Sequence, residues 1–305
     1  MSFKAYIPPS LVTRRRRLAS NLWLDYAITE REKPKSLLVF MPSALDEARS
    51  ERKRPAFARW SWANHFSNST VISIADPSLA ISPSLDAAWF LHDKYDVISL
   101  ISQFIADYAR ANSIPEDKIL FYGTSLGGFG AIACASLIPG SRASAEVPQV
   151  DVEKWLSDKP EQLEAIEKHL LSGKSLSQFR DAYAERVNLQ DRFRKSGYVP
   201  KCLIHTNPGD QSYQDQKRLI EWIAESGIPN DGAELLITTR LSGHTHYQGT
   251  EGLKYIRPGE KLVHYPIASF LVKKPSVRTT FKRILGSSHS LTRRIVQSIK
   301  RKYFS

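Results

Sequence analysis

The stretch FYGTSLGGFGA, residues 121–131, constrains this chain more than any other, with four glycines and one serine inside eight residues directly behind an apolar run. Gly123-Thr124-Ser125-Leu126-Gly127 fits G-x-S-x-G between a strand and a helix. So tight a turn holds its central residue in a strained backbone region and pushes that side chain out of the sheet. Residues two positions to either side collide unless they lack a Cβ, which accounts for Gly123 and Gly127. Gly128, Gly130 and Ala131 let the next helix pack close to its strand. The N-terminus of that helix aims free N–H groups at the serine, where they favour an oxyanion. The competing reading is a backbone cradle for phosphate. The stretch lacks the P-loop lysine. Gly128-Phe129-Gly130 with Ala133 matches G-x-G-x-x-A, but it starts five residues past the strand and belongs to the third strand of the series, not the first. The context favours Ser125 as a nucleophile.

The turn sits in a regular series. Apolar runs at 36–41 (SLLVFM), 71–75 (VISIA), 119–122, 143–147, 202–206 (CLIHT) and 235–241 read as strands. Helical patterns fall at 95–111, 128–137 and 214–225. This alternation argues for an α/β fold with a mainly parallel sheet covered on both faces. Residues 1–34 read as a lead-in with a strand or short helix at 21–27, and residues 151–197 read as charged helices without strand signal.

On these residues the chain resembles the α/β-hydrolase superfamily over about residues 35–250. The resemblance implies an α/β-hydrolase-type sheet domain over 35–272 with a helical cap inserted at 151–197. It also implies the chain order serine, acid, histidine, with the last two in loops after late strands. Strand 202–206 runs into Asn207-Pro208-Gly209-Asp210, and strand 235–241 into Ser242-Gly243-His244-Thr245-His246. Asp210 then orients the imidazole, and His244 takes the proton of Ser125. Asp151, after the fourth strand, is the alternative acid, and His246 the alternative base. His205 lies inside a strand and reads as a core histidine, and no pair of the other histidines suggests a metal site. The oxyanion hole implied by the resemblance takes the N–H of Leu126 and a second N–H from Ser43 or Ala44. No cofactor is expected. The apolar residues of 151–197, among them Trp155, Ile166, Phe179 and Val187, either roof the serine or cover the sheet edge. The Arg- and Trp-rich segment 54–62 is a substrate rim or a packed loop.

Charge is uneven. The net charge is +12 over 305 residues, and residues 273–305 carry ten Lys/Arg and no Asp or Glu, so the rest of the chain is nearly balanced. Val277, Phe281, Ile284 and Leu285 share one helical face of that tail, and Leu291, Ile295 and Ile299 another. A basic amphipathic tail suits an anionic membrane surface, with a solvated disordered tail as the bland alternative. Nucleic acid is the less favoured partner, since the body holds no reading motif and no basic stripe beyond Arg14–Arg17. Apolar runs are strand-sized, the N-terminus shows TRRRRL where a secretory core would lie, and Cys134 and Cys202 make no disulfide framework. A cytoplasmic location is expected, with the tail able to lie on the inner face of the membrane.

The expected activity is acyl transfer through a Ser125 acyl-enzyme, from an acyl-ester or acyl-donor substrate to water or to another hydroxyl. Three stretches, F-x-R-x-S-W at 57–62, A-D-P at 75–77 and FYGTSLGGFGA, are similar to hydrolase-like proteins encoded with bacterial capsule and surface-polysaccharide synthesis, which implies a glycan substrate. The alternative is a non-catalytic scaffold of a membrane-associated polysaccharide assembly.

Overall fold

Strands form where the sequence is apolar without alternation, because both sides of the central sheet are covered. In the computed structural model, which describes residues 12–45, 54–66, 68–237 and 242–245, eight strands make one sheet. They are β1 (Val12–Ala19), β2 (Leu22–Thr29), β3 (Ser36–Phe40), β4 (Ser69–Ile74), β5 (Ile119–Thr124), β6 (Arg142–Glu146), β7 (Lys201–Thr206) and β8 (Ala233–Ile237). Their spatial order is β1-β2-β4-β3-β5-β6-β7-β8. From β4 to β8 every pairing is parallel, with Phe40 opposite Tyr122 and Thr124 opposite Glu146. Every residue of β4 and β5 is buried.

One face packs on α1 (Val97–Ala111) and α2 (Leu126–Ala135), where Val39 and Phe121 meet a core that includes Ile101 and Ile132. α2 is buried all round, as its run of small and apolar residues requires. On the other face the Phe40 ring packs on Trp62, Phe66 and Tyr122.

The sheet begins earlier than the strand series suggests. Residues 12–29, inside the stretch read as a lead-in, form an antiparallel hairpin whose second strand pairs with β4. Four consecutive arginines hid β1 from any period-2 reading, and they stand exposed along its length as an edge strand tolerates.

Residues 151–197 fold into α3 (Val152–Leu156), α4 (Pro160–Leu170), α5 (Leu176–Tyr183) and α6 (Leu189–Ser196). Most of their apolar residues do not roof the serine. Ile166, Leu170, Leu171, Phe179 and Val187 join the main core instead. Arg192 of α6, 1% exposed, clamps the insertion to α1 by two hydrogen bonds of 2.6 and 3.0 Å to Asp96. The last helix among the described residues is α7 (Tyr213–Glu225). Three readings fall outside the described residues: the end of the strand expected at 235–241, His246, and the basic tail at 273–305.

Candidate active site

The chain leaves β3 for β4 on one side and returns through α1 to β5 on the other. That reversal opens a crevice at the carboxyl ends of β3 and β5, the place where open α/β sheets bind ligands. Ser125 follows β5 there, and the loop 41–45 follows β3.

Ser125 adopts φ 56°, ψ −124°, a conformation L-residues rarely take. Its N–H donates to the Glu146 carbonyl (3.0 Å), and its own carbonyl accepts from Gly128 and Phe129. Steric limits fix the flanking glycines. A Cβ on Gly123 would lie 2.0 Å from the Gly127 carbonyl oxygen, and one on Gly127 would lie 2.1 Å from that of Pro42. The turn and the 41–45 loop therefore touch backbone to backbone.

Ser125, His244 and Asp210 come together. His244 Nε2 lies 2.8 Å from Ser125 Oγ, and His244 Nδ1 lies 2.7 Å from Asp210 Oδ2. The Asp210 side chain is fully buried, and its other oxygen accepts from the Ser212 N–H (2.8 Å) and the Gln216 amide (3.2 Å). Asn207 braces the histidine loop by donating to the Gly243 carbonyl (3.0 Å). The Trp155 ring lies 4.6 Å from the His244 ring, so α3 does reach the site with one residue. Lys159 Nζ lies 4.3 Å from the Trp155 ring.

Loop 41–45 narrows the choice of donors. Met41 donates to the Tyr122 carbonyl and Leu45 to that of Asp86, and Pro42 has no N–H. Ser43 and Ala44 are the loop residues whose N–H groups stay outside these bonds. The Ser43 hydroxyl lies 2.9 Å from that of Thr124, which ties the loop to the residue before the serine. Leu126 opens α2, so its N–H has no partner within the helix.

Asp151 stands elsewhere. It caps α3 by accepting from the Lys154 N–H, and it also accepts from Asn188 and pairs with Arg180. His205 is buried in β7, where desolvation lowers its imidazole to about 4. Burial and the neighbouring Glu146 push the Tyr122 hydroxyl well up, and that hydroxyl donates to Glu146 beneath the turn.

Segment 54–62 is largely a packed loop. The Arg54 guanidinium spends its N–H groups on the carbonyls of Leu79, Ser82, Pro83 and Leu85. Arg59 lies over the Trp62 and Tyr122 rings and donates to Thr124 (3.3 Å). A cleft of about 440 Å³ opens beside Pro42 and Ser43, with Asp25 and Asp76 among its walls. That volume is within the range of small-molecule sites, roughly 300–1,000 Å³.

Sequence reasoning passed over Gln149. Its amide donates to Ser125 Oγ (2.7 Å), and Trp89 Nε1 donates to its carbonyl (2.6 Å). The available signal was positional. Gln149 lies just past β6, two residues nearer the strand end than Asp151, which drew attention only because it is acidic.

No family model matches the sequence, and no curated protein matches it. Solved structures do. The capsule O-acetyltransferase of Neisseria meningitidis serogroup A matches with TM-score 0.56 and 13% identity, over 79% of this chain and 91% of that one. The Glycosylation Associate Protein (Gap123) complex from Streptococcus agalactiae matches with TM-score 0.53 and 11% identity; the chain covers 79% of itself but only 44% of that protein's length. Esterase B from Lactobacillus rhamnosis matches with TM-score 0.50 and 10% identity, over 82% and 84%. At such identities the likeness speaks for architecture, and together with the eight-stranded, mostly parallel sheet it shows that the chain has the α/β-hydrolase fold.

Proposed function

We propose that this protein is a serine-dependent acyl-ester hydrolase or O-acyltransferase working through Ser125, His244 and Asp210. The observation that carries the reading is the continuous hydrogen-bonded line from Ser125 Oγ through His244 to the buried Asp210 carboxylate. In the proposed reaction Ser125 Oγ attacks the acyl carbonyl while its proton passes to His244 Nε2. Asp210 holds Nδ1–H and stabilises the imidazolium that forms. The N–H of Leu126 and that of Ser43 or Ala44 receive the developing oxyanion. His244 then returns the proton to the leaving group, and an acyl ester remains on Ser125. A water or an acceptor hydroxyl, deprotonated by the same imidazole, reverses these steps and frees the serine.

The identity of the final acceptor decides between hydrolase and transferase. The O-acetyltransferase name of one structural neighbour supports a sugar hydroxyl as acceptor, and the esterase name of another supports water. A fluorophosphonate probe tests the shared step. The wild type should label on Ser125, and Ser125→Ala should not. An unlabelled wild type, or equal labelling of the variant, would sink the serine-enzyme reading and leave the scaffold alternative.

A further inference from the structure

We propose that Gln149 is a fourth catalytic group of this site, whose side-chain amide donates to the nucleophilic oxygen and directs the serine proton onto His244, with Trp89 as the residue that positions it. The inference rests on the serine-nucleophile reading above and adds a group to it.

The argument starts from donor and acceptor chemistry. An indole Nε1–H can only donate. Trp89 Nε1 lies 2.6 Å from Gln149 Oε1, so this oxygen is the acceptor and the Gln149 amide nitrogen is turned toward Ser125 Oγ, 2.7 Å away. That nitrogen can only donate, so Ser125 Oγ must accept from it. Among the described residues the single serine proton then has one remaining partner, His244 Nε2 at 2.8 Å, which must be the unprotonated ring nitrogen. Nδ1 consequently carries the ring proton and donates to Asp210. One indole N–H thus fixes every donor and acceptor from Trp89 to Asp210.

Backbone strain marks the same group of residues. Trp89 and Phe90 are consecutive non-glycine residues at φ 48° and 59°, and Val147, two residues before Gln149, sits at φ 42°. A β-branched residue at positive φ is a genuine outlier, and such outliers persist only where surrounding structure holds them. Here Asp76 accepts the Phe90 N–H (2.9 Å), and the Val147 N–H donates to the His205 carbonyl (2.7 Å). Both strained segments deliver a side chain to one chain of hydrogen bonds that ends on Ser125. Trp89 and Gln149 are each 1% exposed, so the bond between these two side chains is withdrawn from water.

In the acylation step the amide keeps its protons. The serine proton moves to His244 Nε2 while the Oγ–carbonyl carbon bond forms, and Gln149 donates to the oxygen as negative charge builds on it. Once Oγ is an ester oxygen it is a poor acceptor, so the contact favours the free serine over the acyl-enzyme.

The test is the rate of fluorophosphonate labelling against pH for the full chain and three variants. Gln149→Met and Trp89→Phe should slow labelling, the first by roughly 10- to 100-fold, the loss expected for a hydrogen bond to a charged group. Gln149→Glu keeps the acceptor for Trp89. Its carboxyl donates to Ser125 only while protonated, so its labelling should fall as pH rises, where the wild type does not fall. A merely structural role would lower the thermal midpoint without inverting the pH profile. Variants that label at the wild-type rate with the wild-type profile overturn the inference alone, as does a Gln149→Glu profile parallel to wild type, even if Gln149→Met fails to fold. An unlabelled wild type overturns the nucleophile reading and this inference with it.

Discussion

Ser125 Oγ has hydrogen bonds with Gln149 and His244, and His244 is held in turn by a carboxylate that has no exposure of its own. Asp210→Asn should therefore keep the fold while presenting an amide N–H to Nδ1 and forcing the other tautomer. Labelling should fall on the order of 10³- to 10⁴-fold with an unchanged far-UV circular dichroism spectrum. Gly127→Ala acts through space alone. Its new methyl would sit against the Pro42 carbonyl oxygen, where only backbone can give way. The expected cost is about 1–3 kcal/mol, read as a lower urea midpoint, together with loss of labelling. G-x-S-x-G announced this much from the sequence, because sterics at the turn leave no other residue type possible. Gln149 was silent, since a neutral amide acquires meaning only from the indole across from it, sixty positions away.

At the scale of elements, the strand series was legible because buried parallel strands are written as unbroken apolar runs. β2 was legible only as a strand or short helix at 21–27, and β1 was not, because an exposed edge strand owes its form to its neighbour and not to its own pattern. The insertion was legible as helical, but its packing was not: amphipathic helices have the same sequence whether they roof a site or thicken a core. Arg192 decides the matter by gripping Asp96 at the N-cap of α1. Burial alone would raise the Asp96 carboxyl, but the hydrogen bonds and charge of Arg192, with Ser99, hold it below its usual value. Arg192→Met strands that carboxylate and should cost about 3 kcal/mol or more, measured by urea unfolding.

For the molecule as a whole, two buried groups titrate in opposing senses. His205 stays neutral in the fold down to about 4, whereas the unfolded chain protonates it near 6.5, so its contribution to stability is full above that pH and is lost as pH falls toward 4. Desolvation raises Asp76 to about 6 from 3.8. The fold therefore retains a proton the unfolded chain has released, and this penalty at neutral pH is relieved as pH falls from 6 to 4. The two slopes oppose each other in that window. His205→Asn should expose the Asp76 slope, so that the urea midpoint of the variant rises from pH 6 to pH 4 while that of the wild type does not. The basic tail makes a separate prediction. If residues 273–305 carry membrane affinity, sedimentation with anionic phosphatidylserine vesicles should be lost on truncation at Val272 and weakened by salt; unchanged binding would count against it.

The contact between Gly127 and the Pro42 carbonyl also bears on how such a protein can be altered. Turn and loop are set against each other like gauge blocks, and a single methyl is already a wedge between them. Gradual change cannot enter there, because backbone on both sides sets the spacing.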